Sequence, residues 1–367
     1  MFVALLLALQ TAPAAQLATP LLDLPRERWI EVDREPGQYL GHPTTVVLDD
    51  GASVLCAYPK GHGKGAIVLK RSADGGRTWS ERLPTPKSWE TSQETPTLHR
   101  VRRADGKTRL LLFSGLKPIR QARSDDGGAS WSELEPIGAF GGIVAMASLE
   151  QFDDGRSMAF FHDDGRFLGE SVTLGDDHKF HVFASESRDC GETWSAPRAI
   201  ASRADADLCE PGVVRSPDGK QLVALLRENR RAHRSFFVAS DDQGASWSAP
   251  AELAPELTGD RHVARYASDG RLVVALRDMF NGSPSRGDWL VWVGTFEDVV
   301  NARPGAYRVR LGDNQNAWDS AYCGLERLAD GTLLCVTYGH WDKSAPPWIV
   351  GVRFELEEFD ARLGVGR

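Results

Sequence analysis

The octapeptide SDDGGASW at residues 124–131 decides how the rest of the chain is read, because it recurs. SADGGRTW lies at 72–79, SRDCGETW at 187–194 and SDDQGASW at 240–247, so S-x-D-x-G-x-[ST]-W returns every 52 to 63 residues. A motif at such a period marks a structural repeat. Its chemistry suits a tight hairpin. Asp74, Asp126, Asp189 and Asp242 can hydrogen-bond their own turns, Gly76, Gly128, Gly191 and Gly244 tolerate positive φ, and each tryptophan covers the apolar edge of its sheet. One or two carboxylates per turn are too few for a calcium cage, so the turn is expected to be structural.

A second repeat interleaves with the first. Two apolar strands flank an Asp-Gly turn in TTVVLDDGASVLCAY (44–58), and the same layout places Asp-Gly glycines at 51, 106, 155, 219, 270 and 331. Six β units of similar length, almost without helical periodicity, predict an all-β fold, a six-bladed β-propeller. The ring is expected to close by pairing a strand near RWIEVD (28–33) with the last blade, whose outer strands include PWIVGVRFELEEF (347–359). Closure of that kind removes the free sheet edges that invite aggregation. No linker or second domain interrupts the pattern, which makes residues 16–367 a single propeller.

With 367 residues, a net charge of −8 and a pI near 5.7, the chain is not built to bind nucleic acid or anionic membranes. Its five cysteines form no CxxC pair and no framework, so neither zinc nor a disulfide scaffold is expected. MFVALLLALQTAPAAQ has a short apolar core followed by Ala12-Pro13-Ala14, the pattern of a signal peptide over residues 1–15. No later stretch approaches the ~18 apolar residues of a membrane span. A secreted or periplasmic protein is the expectation; the oligomeric state is left open.

The repeat also serves as a ruler. In a propeller the inner strand of each blade lines the axis, and its entrance shares a face with the loops leaving the second strand. The entrances carry His42, Glu94, Met146, Glu210, His262 and Tyr322, with Arg261 beside His262. The second-strand exits lead to Tyr58 and His62, Ser114 and Arg120, His162 with Asp163 and Asp164, Arg227, Arg277 with Asp278, and Tyr338 with His340. A lone ionisable residue is ordinarily solvated scaffold; convergence of so many on one funnel indicates a polar ligand. Several arginines there favour an anion, because guanidinium matches carboxylate bidentately.

Four such Asp boxes on six blades resemble the sialidase (neuraminidase) superfamily over nearly the whole chain. In CEPGVVRSPDGKQLVALLREN the resemblance assigns Glu210 as the base that activates the nucleophile and Arg227 as a carboxylate-binding arginine. In DSAYCGLERLADGTLLCVTYG it assigns Tyr322 as the nucleophile. A neutral phenol, with a pKa near 10, approaches an anionic anomeric centre without repulsion and is inert until a base takes its proton. This tyrosine chemistry stands apart from the two-carboxylate scheme of most glycosidases. A further arginine should come from blade five. Arg277 occupies the repeat position of Arg227, whereas Arg286, in SPSRGDWLVWVG, fits the family's local pattern.

Blade one departs from the family twice. Sialidases have an arginine just before a proline where this chain has Gly41-His42-Pro43, which would make His42 part of the carboxylate site. They place an aspartate as general acid in the next loop, but YPKGHGKGAIVLKRS contains no acid. His62 is its only proton donor of suitable pKa; Asp163 or Asp164 in HDDGRF is the alternative. The expected activity is release of a terminal sialic acid, or a related acidic sugar, without cofactor or metal. A non-catalytic glycan-binding propeller and a hydrolase or lyase for another acidic glycan are the competing readings.

Overall fold

Each Asp-Gly pair closes a hairpin whose glycine takes a φ between 69° and 90°, a region that a side chain resists. Six such hairpins seed six sheets in the computed structural model, which describes residues 17–169, 179–316 and 318–364. The leader expected at residues 1–15 lies outside the described residues. The inner strands are Thr44–Val47, Thr97–Arg102, Ile143–Gln151, Leu208–Arg215, Gly259–Tyr266 and Gly324–Arg327, one per blade. Each pairs antiparallel with the strand that follows it. The protein is a six-bladed β-propeller, as the repeats predicted.

Ring closure also follows the sequence. Ile30–Asp33 pairs antiparallel with Trp348–Phe354, so the N-terminal strand becomes the outermost strand of blade six. One element was not foreseen. Leu21–Asp23 joins blade five as a fifth strand, parallel to Tyr307–Gly312. Three residues carry too short an alternation to announce a strand, and this one is set by its neighbours.

The core lies in the seams between blades. Leu55, Ala57, Leu69, Leu110 and Leu112 fill the seam of blades one and two, with Trp131 of the second Asp box against it. Trp194 and Trp247 lie likewise against the next two seams, and Trp79 against the seam of blades six and one. Towards the axis the inner strands crowd each other. A Cβ on Gly212 would lie 2.1 Å from the His262 carbonyl oxygen, and one on Gly324 would lie 2.1 Å from Thr45 Oγ1, so only glycine fits.

The Asp boxes close on themselves. In blade two Asp126 Oδ1 accepts from Ser124 Oγ at 2.8 Å and from the Ser130 amide at 3.0 Å, while Oδ2 accepts from Ser130 Oγ at 2.5 Å. Asp74 and Asp242 repeat the arrangement with Thr78 and Ser246. Hydrogen bonds from Ser130 and Ser246 hold Asp126 and Asp242 down at about 2; for Asp74, slight burial is outweighed by Thr78, again giving about 2. A carboxylate lowered in the folded state adds stability above its unfolded pKa of ~3.9 and loses it as pH falls through ~2. The melting temperature should therefore drop as pH goes from 4 to 2. Replacing Asp126 and Asp242 by asparagine should flatten that slope, measured by calorimetry across the same range; an unchanged slope would contradict it.

Candidate functional site

Five of the six inner strands enter the propeller through a left-handed residue. His42, Met146, Glu210 and Arg261 have φ values of 56°, 50°, 52° and 52°, and in blade six Ala321, at 60°, immediately precedes Tyr322. In blades three, four and five the kink falls within a break in register between the first two strands. A bulge of this kind re-aims a side chain, and here it brings residues from separate blades together.

Glu210 and Tyr322 meet directly. The Tyr322 hydroxyl donates to Glu210 Oε1 in a very short hydrogen bond. Arg227 Nη1 donates to the same oxygen at 2.7 Å and to the Tyr322 hydroxyl at 2.9 Å. The backbone N–H of Arg261 completes the set at Glu210 Oε2, 3.1 Å away. Tyr322 is only 8% exposed, and burial, reinforced by the Glu210 charge, pushes its phenol well above the ordinary value. It stays neutral until a base takes its proton, and the Glu210 carboxylate is already in contact.

Behind this pair lies a buried carboxylate that the sequence reading did not single out. Asp260 has no exposed surface and accepts from Arg231 Nη2 at 2.7 Å and from Arg277 Nε at 2.9 Å, with Arg227 Nε 3.2 Å away. Arg277 also donates through Nη2 to Asp260 and through Nη1 to the Ser320 carbonyl at 3.1 Å. All three of its guanidinium nitrogens have a protein partner, and its guanidinium carbon lies 5.4 Å from the centroid of the Tyr322 ring. Arg286 is exposed, on a turn whose next residue, Gly287, accepts from Ser320 Oγ at 3.0 Å; no ion pair with a described residue holds it.

Blade one contributes histidines. The His42 ring stands 4.7 Å from Tyr322 and 4.6 Å from both His62 and Tyr338. Its Nδ1 accepts the Gly63 amide at 3.1 Å, which puts its proton on Nε2, 3.2 Å from the Tyr338 hydroxyl. Burial, then the His62 charge, pushes its pKa well below the ordinary value. His42 is therefore a neutral spacer and brings no positive charge to a carboxylate site.

His62 is 57% exposed, and its Nδ1 lies 3.0 Å from Asp319 Oδ1 and 2.9 Å from the Tyr39 hydroxyl. Asp319 gathers four donors: Tyr39 at 2.7 Å, Tyr338 at 3.0 Å, His340 at 2.9 Å and His62. Burial works to raise its pKa, but the bonds from His62, His340 and Tyr39 prevail and hold it below the carboxylate range. Donor atoms of His42, His62 and Asp319 lie within 4.8 Å of one another. The His42 lone pair is already used by Gly63, so the cluster reads as a hydrogen-bond network and not as a cation cage.

Three other expected residues stand elsewhere. Asp163 is buried and caps its own turn, accepting from the Gly165 and Phe167 amides at 2.7 and 3.2 Å. Asp164 pairs with Arg166 Nε at 2.7 Å, so both acids offered as alternative proton donors are engaged locally. His262 is fully buried, with Nε2 2.8 Å from the Leu257 carbonyl, and cannot reach a ligand. Arg261, one residue earlier, takes the place expected of it. The signal was in the spacing: His42, Met146, Glu210, Arg261 and Tyr322 each precede their Asp-Gly glycine by nine residues, and His262 precedes its own by eight.

Comparison with known proteins agrees with this architecture. A family model described as a BNR repeat-like domain matches residues 154–293. A sialidase from Micromonospora viridifaciens is 24% identical over 338 residues, 79% of this chain and 48% of that protein. Among solved structures, a Dyadobacter fermentans protein of unknown function superposes with a TM-score of 0.70 at 17% identity, covering 89% of this chain and 97% of that one. The intramolecular trans-sialidase from Ruminococcus gnavus gives 0.61 at 15%, covering 87% and 95%. The chain spans half or less of the length of the curated relatives it matches. It is similar to sialidases at low sequence identity and shares their propeller fold.

The arginine cluster makes a stability prediction. Removing the carboxylate that Arg227, Arg231 and Arg277 share leaves buried positive charge uncompensated, which costs about 3–5 kcal/mol. Asp260→Asn should lose that much in urea unfolding; a loss under ~1 kcal/mol would show that the cluster is not held by charge.

Proposed function

We propose that the protein is a sialidase-like exo-glycoside hydrolase that releases a terminal sialic acid, or a closely related acidic sugar, from a glycoconjugate. The reading is carried by the contact between Tyr322 and Glu210, two residues 112 positions apart brought into direct hydrogen bonding in a funnel. Tyr322 Oη attacks the anomeric carbon while its proton passes to Glu210 Oε1. The bond to the leaving oxygen breaks, and that oxygen takes a proton from His62 Nε2. Water then attacks the glycosyl–tyrosine bond and gives a proton to the vacated His62 Nε2, and Tyr322 recovers its own from Glu210. Arg227, 2.9 Å from the phenol oxygen, stabilises the charge that develops there.

Asp319 is a positioning residue in this scheme. Its carboxylate faces His62 Nδ1, which leaves Nε2 as the atom that gives the proton. A histidine–aspartate pair thus does the work of the missing acid, and it couples blade one to the loop that carries Tyr322. Catalysis outside the cytoplasm, after removal of the leader, is part of the proposal. The neutral His42 in blade one favours a second reading, in which the acidic sugar is not a sialic acid.

Turnover of sialosides and of uronic-acid glycosides by the purified protein tests the choice. Tyr322→Phe should lower kcat by ~10³-fold or more. His62→Gln and Asp319→Asn should cost ~10²–10⁴-fold on a disaccharide, and under ~10-fold on an aryl glycoside whose leaving group needs no proton. Equal losses on both substrates would remove His62 from the role of proton donor. Full activity in Tyr322→Phe would remove the nucleophile.

A further inference from the structure

Around the Tyr322–Glu210 pair, almost every guanidinium is occupied. Arg227 donates to Glu210, Tyr322 and Asn229, and Arg231 and Arg277 bind Asp260. Arg261 is the exception among the buried ones. It is 6% exposed, and no hydrogen bond or ion pair with a described residue reaches its guanidinium. Nη1 is sealed from solvent without a partner. Its charge acts on Glu210, Tyr322 and Cys323, and also on His42 of blade one and His162 of blade three.

A desolvated, unpaired guanidinium is costly, and folded proteins rarely keep one without a counter-ion. Burial indeed pushes the Arg261 pKa down, with Glu210 pulling the other way. Glu210 does not act as its partner, because both of its oxygens are taken by Tyr322, Arg227 and the Arg261 backbone amide. The unpaired charge is explained if the counter-ion arrives with the ligand.

We propose that Arg261 receives the carboxylate of the acidic sugar, forming a monocarboxylate site on the propeller axis beside Tyr322 and Glu210. The inference rests on the reading of the funnel as an acidic-sugar site. It relocates the recognition charge: blade one has a neutral histidine at its entrance, and the equivalent entrance of blade five supplies the guanidinium instead.

Binding measured by titration calorimetry and thermal shift tests this without requiring turnover. The wild type should bind free N-acetylneuraminic acid at least ~30-fold more tightly than its methyl ester, the loss expected when a buried charge is left unpaired. Arg261→Gln should erase that preference, and Arg261→Lys should keep part of it. Without ligand, Arg261→Gln should melt at or above the wild-type temperature, since an unpaired buried charge has gone; a fall would indicate a structural arginine and overturn the proposal. Equal binding of acid and ester by the wild type, undiminished binding of the acid by Arg261→Gln, or equal protection by sodium chloride would also overturn it. If glucuronate, and not N-acetylneuraminate, shows the Arg261-dependent preference, the carboxylate site stands and the sialic acid reading falls. If no carboxylate stabilises the wild type, the site itself is refuted.

Discussion

The site depends on a backbone constraint: a left-handed residue nine positions ahead of the Asp-Gly glycine in blades one, three, four and five, and ten ahead in blade six. Such a conformation costs a non-glycine residue about 1–3 kcal/mol and persists only when its surroundings over-determine it. Here the packed seams and the crowded axis do so, since Gly212 and Gly324 leave no room for the inner strands to relax. Met146 adopts the same φ as Glu210 and Arg261, so the kink belongs to the architecture and not to the chemistry. The function comes from which side chain each blade presents there. Blade three presents methionine, blade four glutamate and blade five arginine, while blade six presents tyrosine one residue after its kink.

Charge around the funnel is set by two carboxylates of opposite use. Asp260, fully buried, organises Arg227, Arg231 and Arg277 into a fixed block behind the Tyr322 ring. Asp319 gathers two tyrosines and two histidines at the mouth, where Trp318 is 56% exposed beside His62. The first makes the floor rigid and positive. The second keeps one imidazole oriented in a solvent-facing position, the arrangement a proton donor requires. Both aspartates lie within a few residues of the inner strands of blades five and six, so the same hairpins hold floor and rim in register.

Much of this was legible in the sequence. Asp boxes and Asp-Gly hairpins have strong local signatures, and they specified six blades and the strand that closes the ring. Glu210, Arg227 and Tyr322 were found because the repeat places them on the axis, and the structure brings them together. Polarity at a repeat position does not reveal a partner: Asp260 lies directly across the hairpin from Arg277, and only the register shows the two paired. His262 was chosen over Arg261 because a kink shifts which residue faces inward, which alternation alone cannot register. Asp319 lies in a loop outside the repeat, and its importance is visible only once blades one and six are adjacent. The strand at Leu21–Asp23 is fixed wholly by tertiary pairing.

The account stands on Tyr322 as the nucleophile that Glu210 activates. Incubating the protein with a fluorinated acidic-sugar fluoride, whose good leaving group lets attack proceed while fluorine slows hydrolysis, would trap the covalent glycosyl-enzyme for mass spectrometry. The account predicts one sugar per chain, on the peptide that carries Tyr322, and no labelling of Glu210→Gln. A stable adduct on a carboxylate, or turnover of the reagent with Tyr322 unlabelled and dispensable, would contradict it.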